Sequence, residues 1–167
     1  VNDSPALTAN KKTFDPETED TPFDIAISDL ILGYSDVEGD TRSVEGLTAN
    51  GGKLVKDGTK YIFTPESNFV GTVNLSYTVV DGNGGSVSAT NTITINPVND
   101  RPVRTAGNVG TLNLLEDAAI TSMGLAGVTY SAGGGADETS QTLDYKAKTL
   151  PATTLGTIYK ADGTTVV

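Results

Sequence analysis

Three carboxylates at alternate positions, Asp36, Glu38 and Asp40, lie around Gly39 in a segment typical of a bending loop. Such spacing lets several oxygens point to one place, and like charges held so close are costly unless a cation neutralises them. Ca²⁺ suits this donor set because it takes about six to eight oxygen ligands in flexible geometry. The segment is not an EF-hand loop, since no Glu occupies the distal ligand position and no helices flank it. The residues therefore predict either a calcium-binding turn or a solvated acidic turn.

The composition narrows the chemistry that the chain can perform. Its 167 residues include no Cys, His or Trp, and 21 acidic against 11 basic residues give a net charge of −10. The lack of Cys and His excludes Ser-His-Asp triads, thiol chemistry and zinc or haem sites built on those ligands. The acidic balance disfavours nucleic acid and anionic lipid, and no apolar run reaches the roughly 18 residues of a membrane span. We expect no nucleic-acid partner and no membrane insertion.

The chain contains an internal repeat. Its first two landmarks recur 97 residues further on, and a third recurs at nearly the same distance. These landmarks are Val1-Asn2-Asp3 with Val98-Asn99-Asp100, Glu19-Asp20 with Glu116-Asp117, and Tyr34-Ser35 with Tyr130-Ser131. The second copy ends near the equivalent of Phe63, so it lacks the part that matches residues 64–95. We expect the second repeat to be incomplete in this chain.

The apolar residues indicate strands. Residues 73–79 alternate apolar and polar with a period of two, as do residues 87–95 after the turn Asp81-Gly82-Asn83-Gly84-Gly85, so the pair predicts a β-hairpin. Asp57-Gly58 marks a second hairpin, and no stretch predicts an amphipathic helix of ten residues or more. The sequence therefore predicts an all-β protein made of tandem antiparallel β-sandwiches of the cadherin or immunoglobulin type, the second one incomplete.

The repeat sets the domain boundaries. We predict a cadherin-like β-sandwich over residues 1–97, a calcium-binding linker over 98–102, and the first part of a truncated or split second repeat over 103–167. A plain linker would also explain Asn99, Asp100 and Pro102, since these residues favour a rigid turn. The recurrence of the Asn-Asp pair at both domain starts, beside acidic turns, favours a ligand role.

The order of motifs resembles a known family. Val-Asn-Asp-x-Pro, Glu-Asp, Asp-x-Glu-Gly-Asp and Asp-Gly-Asn-Gly-Gly, followed again by Val-Asn-Asp-x-Pro, is similar to the bacterial cadherin-like repeats, also called VCBS-type tandem repeats, of large RTX adhesins. The resemblance implies extracellular β-sandwiches strung end to end, stiffened by Ca²⁺ at the junctions and exported by type I secretion to the bacterial surface. It implies a structural extender module that serves cell adhesion and biofilm formation.

The same resemblance assigns two groups of calcium ligands. At the start of the first domain it implies a half-site formed by Asn2, Asp3, Asp36, Glu38, Asp40 and Asp81. At the junction with the second repeat it implies a cluster formed by Glu19, Asn99, Asp100, Asp137 and Glu138, the last two from the segment that replaces the acidic motif. The expected partners are neighbouring repeats of a monomeric chain, and host or bacterial cell-surface ligands bound through other domains.

Two other functions remain as alternatives. The truncated second repeat is also what a split domain that binds sugar or peptide would look like, although the six tyrosines fall mostly in strand patterns where core packing explains them. Paired carboxylates could act as general acid and base in glycoside hydrolysis. The chain lacks the aromatic cleft and the length typical of such enzymes, so we predict no enzymatic activity.

Overall fold

The computed structural model describes residues 1–108, 119, 121–122, 125 and 127–144. The chain divides into two compact units. The first contains Val1–Asn99 together with Gly134–Thr139, and the second contains Asp100–Gly133 and the residues from Ser140 onward. Much of the predicted second repeat, including residues 145–167 and the Glu116-Asp117 landmark, lies outside the described residues.

The first unit is built from nine short and long strands and one helical turn. Two sheets have the strand orders β2-β9-β8-β5 and β3-β7-β6, and a separate pair joins β1 to β4. All pairings are antiparallel except that of β2 with β9, which is parallel. The elements are β1 Ala6–Leu7, β2 Glu17–Thr18, β3 Phe23–Ala26, α1 Ile27–Leu30, β4 Tyr34–Ser35, β5 Ser43–Ala49, β6 Gly52–Asp57, β7 Lys60–Pro65, β8 Gly71–Val80 and β9 Ser86–Asn96.

Both predicted hairpins form. Residues Val80 and Ser86 pair across the glycine-rich turn between β8 and β9, and Asp57 pairs with Lys60 across the turn between β6 and β7. The alternation along β8 is complete, because Val73, Leu75, Tyr77 and Val79 are buried while the residues between them are exposed or half-buried. The all-β fold class is confirmed.

One core lies between the two sheets. Phe63 of β7 is fully buried, and its ring lies 5.2 Å from the ring of Phe23 on β3, measured between centroids. Burial of apolar area of this kind is the main stabilising term of a small domain. The buried core residues are Ile25, Leu30, Tyr34, Val44, Tyr61, Phe63, Val73, Leu75, Tyr77, Val79, Ala89, Ile93 and Ile95.

One polar contact ties α1 to the core. The buried hydroxyl of Tyr77 donates a hydrogen bond to the carbonyl oxygen of Leu30, at 2.8 Å. Burial disfavours the phenolate and raises the pKa of Tyr77 to about 12, with a smaller contribution from the neighbouring Tyr34. The hydroxyl therefore stays protonated, and keeps donating its hydrogen bond, at any pH well below 12.

Replacement of Tyr77 by Phe is expected to lower the free energy of unfolding by roughly 1–2 kcal/mol, because the buried Leu30 carbonyl loses its donor. Urea denaturation measures the loss. Tyr61→Phe is the matched control: Tyr61 is also buried, but its hydroxyl makes no hydrogen bond within the described part of the chain, so we expect a change of no more than about 0.5 kcal/mol.

The same pair of variants carries a pH signature. Unfolded Tyr77 ionises near its ordinary pKa of about 10, whereas the folded group ionises near 12. Stability from this group is present below about pH 10 and is lost as the pH rises towards 12, because unfolding then releases a proton. Tyr77→Phe should therefore lose stability less steeply in alkali than wild type. Equal losses for both variants at neutral pH, or parallel alkaline curves, would contradict this role.

The described part of the second unit contains one strand pair, whose register repeats that of β1 with β4. Val103 pairs with Ser131 as Ala6 pairs with Ser35. Each pair also has a cross-strand hydroxyl contact, at positions that are not equivalent: Thr105 with Thr129 at 2.8 Å, and Thr8 with Ser35 at 2.9 Å. Each Asn-Asp-x-Pro segment thus leads into the same type of strand pair. The new strands are β10 Val103–Ala106 and β11 Thr129–Ser131.

Candidate metal centre

Strand register gathers the first group of predicted ligands at one end of the first unit. The pairing of Ala6 with Ser35 sets residues 2–3 beside the loop that follows β4, and the pairing of Ser43 with Val80 sets that loop beside the turn after β8. Three segments that are distant in sequence therefore meet. We call this group the entry cluster; it consists of Asn2, Asp3, Asp36, Glu38, Asp40 and Asp81.

Asp81 is the buried centre of the entry cluster, with 4% of its surface exposed. Its Oδ1 accepts hydrogen bonds from the backbone N–H groups of Asn83 at 2.8 Å and Gly85 at 2.9 Å, and its Oδ2 accepts one from Nδ2 of Asn2 at 2.8 Å. The Asn2 amide first, and the two backbone donors after it, hold the pKa of Asp81 below its ordinary value. The ionised carboxylate of Asp81 thus holds Asn2 of the incoming segment to the turn after β8.

Gly85 is required for this approach. A Cβ at that position would overlap Oδ2 of Asp81 and would lie 2.8 Å from Cα of Ser4 and 3.0 Å from the carbonyl oxygen of Asp3. Only a residue without a side chain lets the incoming segment lie against the turn.

Asp36 organises the acidic loop. Its Oδ1 accepts hydrogen bonds from the backbone N–H groups of Glu38 at 3.0 Å and Asp40 at 3.1 Å, while its Oδ2 is buried with no hydrogen-bond partner. Glu38 in turn accepts from the backbone N–H of Asp3 at 3.2 Å, and Asp40 accepts from Nδ2 of Asn83 at 2.7 Å. The loop is therefore held in place by its own carboxylates, and one buried oxygen is left over.

The charges of the entry cluster are not neutralised by basic side chains. Within the described residues none of its five carboxylates forms an ion pair; the ion pair found there joins Lys60 to Asp24, at 2.8 Å. A buried carboxylate oxygen without a partner costs folding free energy. A cation or a hydrogen-bond donor at Oδ2 of Asp36 would remove this cost.

The oxygen ligands of the entry cluster are of the type that binds a hard cation. Their side chains, however, are oriented by hydrogen bonds within the cluster. The cluster offers carboxylate and amide oxygens only, which are the ligands that Ca²⁺ prefers. Among the described residues no three acidic side chains are arranged so that they could hold a metal ion together. Binding of a metal ion would thus require side chains of the cluster to rotate. Oδ2 of Asp36, which has no hydrogen-bond partner, is the oxygen around which such a site would form.

The second group of predicted ligands begins with Glu19, at the opposite end of the first unit. This side chain is only 2% exposed; its Oε1 accepts a hydrogen bond from the backbone N–H of Val98 at 2.8 Å, and its Oε2 is buried with no hydrogen-bond partner. The backbone N–H of Glu19 donates to the carbonyl of Asn96 at 3.1 Å. Glu19 thus holds the start of the linker, next to the exposed Asn99.

The remaining predicted ligands are placed in different parts of the chain. Asp100 is half-buried and belongs to the second unit. Asp137 and Glu138 lie in a 3-10 turn, Asp137–Ser140, and group with the first unit, where Glu138 is 3% exposed and Asp137 is half-buried. A buried glutamate is unusual, since carboxylates are mostly exposed in folded proteins.

Asn83 belongs to the entry cluster and was missed in the sequence prediction. Its side-chain amide bridges to Asp40, and its backbone N–H bonds to Asp81. The signal was its place in the turn Asp81-Gly82-Asn83-Gly84-Gly85, but an asparagine between two glycines is explained fully by its role as a turn former.

The contact between Asp20 and Asn68 was not predicted either. Both residues have left-handed backbone conformations, and Oδ1 of Asp20 accepts a hydrogen bond from the backbone N–H of Asn68 at 3.1 Å.

Two mostly antiparallel sheets around one core, with acidic loops gathered beside the N-terminal segment, define a β-sandwich module of the kind found in cell-surface proteins. The chain belongs to the cadherin-like domain family, whose family model matches residues 1–96. Domains of this family are typically extracellular. In the part of the chain that the structure describes, no helix is long and apolar enough to cross a membrane.

Other comparisons add little about function. No curated protein matches this chain. Among solved structures, the chain is similar to an endo-fucoidan hydrolase from glycoside hydrolase family 107, with 18% identity and a TM-score of 0.46. The similarity covers 61% of this chain and only 16% of the hydrolase chain. At this level it carries no argument about activity.

Proposed function

We propose that this chain is a calcium-rigidified extender of a bacterial surface adhesin, secreted by a type I pathway, that serves cell adhesion and biofilm formation without enzymatic activity. The observation that carries the proposal is the entry cluster: three segments that carry five carboxylates are joined by hydrogen bonds, no described residue forms an ion pair with these carboxylates, and Oδ2 of Asp36 is buried without a hydrogen-bond partner. Cadherin-like domains are consistent with an adhesion or extender role.

The residues of the entry cluster explain how a cation would stiffen the chain. Asn2 and Asp3 belong to the incoming segment, whereas Asp36, Glu38 and Asp81 belong to loops of the domain body. Without a cation, mutual repulsion among the carboxylates weakens the hydrogen bonds that hold residues 2–3. A bound Ca²⁺ would supply the positive charge that removes this repulsion. The incoming segment would then be fixed to the domain and lose its freedom to swing.

The second group would act in the same way at the outgoing end. Glu19 already holds the backbone at Val98, and its second oxygen is buried and unpaired. The resemblance adds Asn99, Asp100, Asp137 and Glu138 to Glu19 as ligands of this second group. Calcium sites of extracellular modules have dissociation constants of about 10⁻⁴ to 10⁻³ M, which matches calcium levels outside cells. A row of such domains would be flexible inside the cell, before secretion, and rigid outside it, after secretion.

Small-angle X-ray scattering tests the proposal on the full 167-residue chain. We expect a larger maximum dimension and a less flexible particle in millimolar Ca²⁺ than in chelator, because the linker is fixed when its charges are neutralised. The control is Asp57→Asn, which removes one exposed charge from the turn between β6 and β7, far in sequence from either group; it should respond to Ca²⁺ as wild type does. Identical scattering with Ca²⁺ and with chelator would refute the extender proposal.

A further inference from the structure

The turn after β8 contains a residue pair with its own chemistry. Asparagine followed by glycine occurs twice among the described residues, at Asn50-Gly51 and at Asn83-Gly84. In such a pair the backbone nitrogen of the glycine can reach the side-chain amide carbon of the asparagine, because no Cβ of the following residue obstructs the approach. The local structure then decides which pair reacts.

We propose that Asn83 is a site of spontaneous deamidation, which changes the charge of the entry cluster with time. The backbone nitrogen of Gly84 loses its proton and attacks Cγ of Asn83, and the amide nitrogen leaves as ammonia with that proton. The product is a five-membered succinimide ring. Water then opens the ring at either carbonyl and leaves aspartate or isoaspartate. No oxidant, reductant or other reactant besides water is needed.

The surroundings of Asn83 favour this reaction. Asn83 and Gly84 are exposed, and Gly84 has φ +105°, with no atom within 4 Å of the place where its Cβ would be. The backbone nitrogen of Gly84 makes no hydrogen bond within the described part of the chain, so it is available as the nucleophile. The side-chain Oδ1 of Asn83 is likewise not fixed there; only Nδ2, the leaving group, is held, by Asp40 at 2.7 Å.

The surroundings of Asn50 oppose the same reaction. Both ends of its side-chain amide are held by β8: Nδ2 donates to the carbonyl of Thr72 at 3.2 Å, and Oδ1 accepts from the backbone N–H of Asn74. Gly51 lies against the ring of Phe69, so closely that a Cβ would overlap the ring. The backbone rotation that ring closure demands is therefore obstructed at Asn50. The chain thus contains its own unreactive control.

Deamidation at Asn83 would change the entry cluster directly. The amide that donates to Asp40 becomes a carboxylate, so an attractive contact at 2.7 Å becomes a repulsive one and five carboxylates become six. The isoaspartate product also adds a methylene group to the backbone between Asp81 and Gly85, whose hydrogen bond closes the turn. The modification itself does not depend on calcium; its effect on calcium affinity rests on the proposed function.

Peptide mapping by mass spectrometry tests the inference on the full chain, incubated for days at mildly alkaline pH in chelator. We expect aspartate and isoaspartate at Asn83 to accumulate at least about tenfold faster than at Asn50, a ratio that corresponds to about 1.4 kcal/mol in activation free energy. Asn83→Gln should abolish the early product, because the longer side chain closes a less favoured six-membered ring. Equal rates at both sites, or an unmodified Asn83 after Asn50 has reacted, would overturn the proposal.

A second measurement separates the modification from its consequence. The purified aged protein and the variant Asn83→Asp should both melt below fresh protein in chelator, because both lose the donor to Asp40 and gain a charge. If deamidation occurs at Asn83 but calcium has no effect on any form, the modification site stands and the proposed calcium function fails. If the melting temperature of Asn83→Asp equals that of wild type, the proposed change in the cluster is refuted.

Discussion

Removal of calcium is expected to lower the melting temperature of this chain by roughly 5–20 °C, measured in about 10 mM Ca²⁺ and then in excess chelator. The range follows from mass action. A ligand present at about 10 to 100 times its dissociation constant stabilises the folded state by about 1.4 to 2.7 kcal/mol per site. For a domain of this size each kcal/mol corresponds to about 4–8 °C.

Asp36→Asn distinguishes a bound cation from a general salt effect. The amide keeps an oxygen to accept from the N–H groups of Glu38 and Asp40, but it removes the charge next to the buried unpaired position. We expect the variant to melt at or above the wild-type temperature in chelator, because repulsion is reduced, and below it in Ca²⁺. Asp57→Asn should follow wild type in both buffers. A response of Asp36→Asn to Ca²⁺ as large as that of wild type would exclude the entry cluster as the site.

Phe63→Ala is expected to destabilise the first unit by about 3–5 kcal/mol, through lost burial and the cavity left behind. Phe63 is fully buried, its ring packs on Phe23, and its edge lies against Gly52, so neighbouring side chains cannot collapse into the space without moving strands of the sheet. Denaturant unfolding in a fixed concentration of Ca²⁺ measures the loss. The cost should be the same in chelator, since the core and the entry cluster share no residue.

Val55→Ala is the control for Phe63→Ala. Val55 lies on the edge strand β6 of the same sheet and is 48% exposed, so its truncation should cost no more than about 1 kcal/mol. A loss for Phe63→Ala as small as that for Val55→Ala would show that the core between the two sheets is not what stabilises the domain.

The sequence was informative where a pattern is local. The long hairpin of β8 and β9 was predictable because strict alternation and a glycine-rich turn lie next to each other in the chain. The entry cluster was predictable as a set of acidic segments, but its contacts depend on two strand registers that no local pattern encodes. The hydrogen bond from Asn83 to Asp40 joins residues 43 positions apart, so no local pattern predicts it either.

Other features could not be predicted from the sequence, because the strands are too short to show a pattern or because the feature depends on a single contact. Strands β1, β2 and β4 have two residues each, too few for a period to show. Glu19 was predicted as a metal ligand from the resemblance alone; its hydrogen bond to the backbone of Val98 depends on the parallel pairing of β2 with β9. Its calcium role stays a prediction, as do those of the other ten predicted ligands.

The parallel pairing of β2 with β9 determines how the first unit would respond to pulling. The two strands come from opposite ends of the domain and run in the same direction, joined at Glu17–Ile95 and Thr18–Asn96 and extended by the contacts of Glu19 with Asn96 and Val98. Tension applied through both termini would pull them past each other along their length. All these bonds would then be loaded in shear at once instead of opening one by one. For the same number of hydrogen bonds, such loading resists rupture better than loading that breaks the bonds in turn.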